Sequence, residues 1–521
     1  MKRVDKLLGA DVELGNFMQQ PVHGTIGNDY AARALLAEID GIPGRDTSPA
    51  YAYDRYYAGS AHSSAGPGDS SGYNPQDWGR KFLDTTGGCF YIDLGHLEAC
   101  IPEVRSARDF VAAHHANLRL ARGACESANE KLLPGEQIVV MANNSDRMNN
   151  SWGGHLNVLV SRDLWAQVCG RMYPTLFVMV AFLVSFILFS GQGKAGAENG
   201  QPWVPFQISQ RGDFFECITG LQTTHSRPLC NTRDEAHVGN GAAGADLARM
   251  HIIFHDTTLT HVSNYLKAGV TQLVLAMLEA GWCDTETVLE DPLSALKSWG
   301  HDPDLRATAA LFDGRRLTAV EHQWMFVSAA RKFVESGEAE PFVPEAQAIL
   351  ELWEDTLVKL ELRAFKALAP RLDWVMKKNL LERMISRNPD LQWDSPAIRA
   401  ADLLFASLDP KEGLYWAVEA AGGAERIATQ GDILRAMREP PVDTRAWSRT
   451  TLLRQVGRHG IESVNWDEIR LRISTPGDTG TIRFDDPRRS TRADMARRAE
   501  PVPENTAAHP LEPITHLLEE G

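Results

Sequence analysis

No Cys-x-x-Cys spacing occurs in the 521 residues, and the seven cysteines (Cys89, Cys100, Cys125, Cys169, Cys217, Cys230, Cys283) stop at position 283. An odd set of unclustered thiols excludes a zinc-finger reading and suits a reducing compartment. Positive charge is in deficit: 53 Lys and Arg stand against 68 Asp and Glu, a net charge of −15. Neither nucleic acid nor a membrane is therefore an expected partner. No apolar run reaches the ~20 residues that span a bilayer. The longest, Leu176 to Phe189, lies between Pro174 and Gly191 and reads as a buried core segment. Met1 to Asp5 carries charge but no apolar signal core, which points to a cytoplasmic chain. This length predicts a large domain plus a smaller one.

What the chain does have is carboxylates set along short apolar strands. Cys89-Phe90-Tyr91-Ile92-Asp93 has the aromatic and β-branched bias of a strand, so Tyr91 and Asp93 share a face. Gly95 permits a turn that returns Glu98 to that face. Alone, this stretch reads as a strand ending in a solvated acidic loop. Gly9-Ala10-Asp11-Val12-Glu13-Leu14-Gly15 adds a strand with Asp11 and Glu13 on one face, about 7 Å apart at ~3.3 Å per residue. Such carboxylates are costly side by side unless a cation sits between them, and magnesium is commonly shared between carboxylates and nucleotide phosphates. Trp152-Gly153-Gly154-His155-Leu156-Asn157, after Asn143-Asn144-Ser145-Asp146, supplies a histidine. Ser209-Gln210-Arg211-Gly212-Asp213 and Asn231-Thr232-Arg233-Asp234-Glu235-Ala236-His237 supply arginines. Acids for metal and arginines for phosphate are what an ATP site on an open sheet requires. His251, His255 and His261 invite a zinc reading, but Ile252-Ile253-Phe254 reads as strand and breaks the i, i+4 face that zinc helices use.

Around these motifs, residues 42–80 are dense in Gly, Ser, Pro, Tyr and Asp without periodicity, which predicts a flexible surface loop. Helices are predicted over 104–131, over 260–280 with Thr260 as a cap, and through 318–370. Gly191 to Gly196 either lets backbone approach a phosphate or makes a tight turn. The expected division is a domain over 1–400, a small unit over 401–475 and a poorly ordered tail over 476–521. Trp466, taken alone, reads as a core tryptophan.

The order GADVELG, YIDLGHLE, NNSD with GGHLN, SQRGD, NTRDEAH, DTRAW and NWDEI resembles the Pup ligase and depupylase (Pup deamidase) family, relatives of glutamine synthetase, from about residue 4 to about 472. The resemblance implies an α+β fold. In it, a glutamine synthetase-like large domain carries the active site on an antiparallel sheet with helices packed on it, and a small C-terminal domain completes the nucleotide site. It implies ATP and Mg2+ as cofactors and a Pup-like small protein modifier and its conjugates as partners. Residue by residue, it makes Asp11, Glu13, Tyr91, Glu98, His155 and His251 metal-site residues and Asp93 the base. Arg211, Arg233 and Arg445 become phosphate-binding, and Trp466 and Ile101 nucleotide-binding.

The 77 residues between Glu13 and Tyr91 favour the depupylase branch, whose members carry a long insertion there. The implied activity is therefore hydrolysis of the amide or isopeptide bond at the C-terminus of the modifier, with ATP-dependent ligation as the alternative. The sequence departs from the family at Asp11, where a Glu is usual, at Cys89 in place of an arginine beside the nucleotide, and at Leu97, Ala99 and Leu156. Those departures keep a third reading open, a diverged nucleotide-binding scaffold.

Overall fold

The computed structural model describes residues 1–22, 29–44, 79–170, 174–238, 244–282, 284–472 and 480–498. The predicted loop lies almost wholly outside them. Antiparallel strands β1 (Leu8–Gln19), β2 (Ile42–Pro43), β3 (Lys81–Phe82), β4 (Cys89–Asp93), β5 (His96–Cys100), β6 (Gln137–Met141), β7 (Gly154–Ser161) and β8 (Leu247–Ile252) form one sheet. The order is β8-β7-β1-β5-β4-β3-β2. β6 runs beside the second half of β1, from Gly15 to Gln19. The fold is α+β, as expected.

Strand alternation gives the sheet two chemically distinct faces. Val12, Leu14, Phe90, Leu97 and Ala99 are buried against helices, while the residues between them (Asp11, Glu13, Tyr91, Glu98) project from the other face. Each buried Leu or Phe is worth about 1.5–3 kcal/mol, so a charge at Leu97 would strip the site of its floor.

Helix α1 (Tyr30–Glu38) covers this face with α2 (Ala107–Asn129), whose Ser106 cap accepts from the Asp109 N–H. Helix α3 (Pro174–Ser190) is the long apolar run, buried on all sides as an all-round apolar helix must be. Helix α4 (His261–Glu279) starts at Thr260, whose side chain accepts from the Ser263 N–H. Among the described residues no single helix is long and apolar enough to cross a membrane. The glycines after α3 make a tight turn. A Cβ on Gly191 would lie 2.3 Å from the Ile208 carbonyl oxygen, and one on Gly193 (φ +82°) would lie 2.6 Å from Phe206.

Residues after 400 pack in more than one core. Phe405, Ala406, Leu408, Tyr415 and Trp416 join the core under β1 and β5, and Ala428 and Ile433 join the main helical core. The small unit instead begins at α5 (Arg445–Val456) and adds a three-stranded sheet, Ile461–Val464, Glu468–Leu471 and Thr481–Arg483. It therefore runs beyond residue 475, and a further helix spans Arg492–Arg498 where the tail was expected. Leu452, Leu453, Ile461, Ile469 and Ile482 pack with Phe82, Cys89, Tyr91 and Cys100 of the main sheet. Glu103, just after β5, pins this contact. It accepts from Arg445 Nε at 2.7 Å and from Arg449 Nη1 and Nη2 at 3.0 and 2.8 Å.

Candidate active site

The β4–β5 hairpin turns through Leu94 (φ +46°) and Gly95 (φ +90°), two left-handed residues that suit a two-residue hairpin. That turn sets the register, with Tyr91 opposite Glu98 and Asp93 opposite His96. On the other side of β5, Glu98 faces Glu13 and Cys100 faces Asp11. Asp11 in turn faces His155 on β7, and Asn157 faces His251 on β8. Residues far apart in sequence thus meet on five adjacent strands.

They gather in two clusters. Glu13, Asp93 and Glu98 can bring one oxygen each within 4.8 Å of one another, and so can ligand atoms of Asp11, His155 and His251. Burial drives the Glu98 carboxyl well above the usual range, and the neighbouring charges of Asp11, Glu13 and Asp93 add to it. Burial also raises Glu13 against the pull of His155. It pushes the Tyr91 phenol up in the same way, with Glu98 adding to it. Burial opposes ionisation of Asp11 as well, but the hydrogen bond and charge of His155, with His251 and Arg249, hold that carboxyl well below its ordinary value.

The tautomers follow from the network. Asn157 Nδ2 donates to Asp11, so its Oδ1 must be the atom 2.9 Å from His251 Nδ1, which therefore carries the proton. His251 Nε2 is left buried without a partner, as is Glu98 Oε2. His155 Nδ1 lies 2.8 Å from Asp11 Oδ2, which leaves its Nε2 as an acceptor. A Cβ on Gly153 would come within 2.1 Å of that Nε2 and 2.7 Å of Glu13 Oε1, so only glycine fits beside the cluster. Orphaned lone pairs among crowded carboxylates fit a divalent cation.

The clusters lie in a cleft of about 510 Å3 whose other walls carry cations and an indole. Arg233 and Arg445 line it, together with Ile101 and Trp466. The Trp466 ring meets Phe82 edge-on at 5.4 Å, with the Arg449 guanidinium 5.0 Å from its centroid. Arg445 already serves Glu103 and the Phe484 carbonyl, to which Nη1 donates at 2.9 Å. Arg211 does not line the cleft. It is buried, and its guanidinium donates to the Ile253 carbonyl; burial, with Arg227 nearby, lowers it to about 10. Its charge reaches Glu13 only from within the fold.

The profile of the family described as Pup-ligase protein matches residues 6–470. A depupylase from Acidothermus cellulolyticus is 34% identical over 445 residues, covering 84% of this chain and 86% of its own. This chain belongs to the Pup-ligase protein family. Within the family, the Pup deamidase/depupylase of Mycolicibacterium smegmatis is 34% identical over 388 residues, 74% of each chain. A Pup–protein ligase from Kineococcus radiotolerans is 33% identical over 403 residues, 76% of this chain and 85% of its own. Two solved structures share the fold at 24% identity. One is the complex between prokaryotic ubiquitin-like protein Pup and its ligase PafA, with a TM-score of 0.74 over 95% of this chain and 91% of that one. The other is PafA in complex with ADP, at 0.69 over 92% and 97%.

Several cleft residues escape a motif reading of the family. Arg227 donates to the Thr223 carbonyl at 2.6 Å and to Ser151. Arg249 donates to Asn157 Oδ1 at 3.1 Å. Arg80 and Trp152 line the cleft as well, as do His96 and His237 from within the YIDLGHLE and NTRDEAH motifs, with His96 stacked on Trp152 at 4.7 Å. Arg249 had a usable signal, since it stands two residues before His251 on the same strand face. Arg227 had none, because its place depends on a parallel pair of short strands, Phe215–Gly220 and Arg227–Asn231.

Proposed function

We propose that this protein is an ATP- and magnesium-dependent amidase. It hydrolyses the side-chain amide or isopeptide bond at the C-terminal glutamine or glutamate of a Pup-like modifier. The observation that carries the reading is the place of Asp93, a cleft-lining carboxylate at the end of β4 and beside the buried acids Glu13 and Glu98. The depupylase and deamidase names of relatives at 34% identity support it.

Asp11, Glu13, Tyr91, Glu98, His155 and His251 would hold magnesium, which when bound offsets phosphate charge and polarises the amide carbonyl. Asp93 takes the proton of the attacking water at its carboxylate. Arg227, Arg233, Arg249 and Arg445 face the phosphates as fixed donors, and Trp466 and Ile101 hold the base. The Glu103 clamp keeps Trp466 in place, because Arg449 donates both to Glu103 and to the Trp466 carbonyl at 2.9 Å. The described cysteines are free thiols, which supports a cytoplasmic setting.

A second reading is kept because a relative at 33% identity is named Pup–protein ligase. In it, the same Asp93 receives the proton of an attacking amine. The test is to incubate an isopeptide-linked Pup conjugate with the protein, ATP and magnesium. Free target protein should appear, and EDTA or Asp93→Asn should abolish it. An intact conjugate under every nucleotide condition would contradict the amidase.

A further inference from the structure

Cys89 and Cys100 face each other across β4 and β5, on the rung farthest from the hairpin turn. Directly opposed antiparallel residues have Cα atoms about 4.5–5.5 Å apart, inside the ~4.4–6.8 Å range that a disulfide spans. Both side chains sit on the face that carries Tyr91 and Glu98, two residues away in each strand. Cys100 is 5% exposed and lines the cleft, so a small oxidant reaches it from there, while Cys89 is wholly buried behind it. The rung is also where the ladder ends. Gly87 and Gly88 precede Cys89, and Pro102 soon follows Cys100, so the strands can adjust there without disturbing the hairpin turn. Among the described residues no other two cysteines face each other across a strand pair.

We propose that Cys89 and Cys100 are a redox modification site, which peroxide converts to an inter-strand disulfide that reversibly weakens nucleotide binding. One sulfur attacks a peroxide oxygen, the O–O bond breaks, and water leaves with formation of a sulfenic acid. The second sulfur attacks the first and expels the hydroxyl as a second water. The two thiols lose two protons and two electrons, and peroxide carries both away in two waters. The link acts on the site through its neighbours. It fixes the rung beside Asp11, which is opposite Cys100 on β1, and lies under Ile461 and Ile469 of the small unit that carries Trp466. Only this consequence rests on the nucleotide-site reading; the chemistry of the pair does not.

The experiment treats the reduced full chain with hydrogen peroxide, blocks remaining thiols with N-ethylmaleimide, and maps peptides by mass. A parallel sample is titrated with ATP and magnesium in a thermal-shift assay. The expected result is a Cys89–Cys100 cross-linked peptide two hydrogens lighter than its reduced parts, and a loss in ATP affinity of about tenfold, the scale of one charge-assisted contact. Dithiothreitol should reverse both. In Cys89→Ser and in Cys100→Ser the ratio of treated to untreated affinity should stay near one, whatever the basal value. Alkylated Cys89 and Cys100 after peroxide, or the cross-link without any change in ATP affinity, would overturn the proposal. A reduced protein that shows no ATP shift at all would instead sink the nucleotide-site reading, and with it the proposed consequence.

Discussion

Glu13 and Glu98 stand directly opposite each other on β1 and β5, both almost fully buried. Burial raises both carboxyls, and like charges add to it, Asp93 at Glu13 and Asp11, Glu13 and Asp93 at Glu98, a crowding that a bound cation would relieve.

That relationship has a pH signature. A carboxyl raised in the folded protein keeps its proton where the unfolded chain, near the ordinary 4.5, has lost it. Folding then takes up protons, and stability falls as pH rises above about 4.5. In EDTA the melting temperature should fall from pH 5 towards 8, and Glu98→Gln should flatten that slope. Millimolar magnesium should flatten it in the unmutated protein. An unchanged slope in Glu98→Gln would remove Glu98 as its source.

The Glu103 clamp has the opposite sign. Burial opposes its ionisation, but Arg449 and Arg445 hold the carboxyl down at about 2. Its contribution is complete above 4.5, the ordinary value, and is lost as pH falls towards 2. By linkage, Glu103→Gln should cost roughly 3 kcal/mol at pH 7, read from urea unfolding, with a penalty that shrinks below about pH 4. A penalty independent of pH would mean that packing rather than charge holds the small unit.

Asp93 belongs by geometry to the Glu13–Glu98 cluster, whereas the proposed amidase uses it as the base. Asp93→Asn should lower turnover by about 10²–10⁴ while leaving ATP affinity within about twofold. Equal losses in turnover and in magnesium-dependent ATP affinity would make it a metal ligand instead.

Trp466 is half-buried, edge-on to Phe82 and beneath Arg449. Trp466→Ala should weaken ATP by about 1–3 kcal/mol in calorimetry and leave pyrophosphate nearly unchanged. Equal weakening of both would mean that the indole supports the small unit and not the base.

The sequence was most legible where period and chemistry coincide. Alternation along β1 and the Leu94-Gly95 turn were enough to put Asp11, Glu13, Tyr91, Asp93 and Glu98 on one face, since two-residue periodicity survives folding. Arg211 was misplaced because a motif gives a position along the chain and not a direction, and this guanidinium turns inward to the Ile253 carbonyl. Tyr415 and Trp416 carry no local mark of the core they join, so their packing was not legible in the sequence. Roles resting on the 42–80 segment lie beyond the described residues, apart from the short β2 strand at its start and Gly79 and Arg80 at its end.

The proposed activity is hydrolysis with nucleotide as a cofactor. The most direct test follows ammonia and inorganic phosphate together during reaction with a glutamine-ended Pup-like peptide, ATP and magnesium, beside a glutamate-ended peptide supplied with an amine. An amidase releases many molecules of ammonia for each ATP consumed, and forms no amide product from the glutamate-ended peptide. One ATP consumed for each new amide bond, with no ammonia from the glutamine-ended peptide, would contradict it.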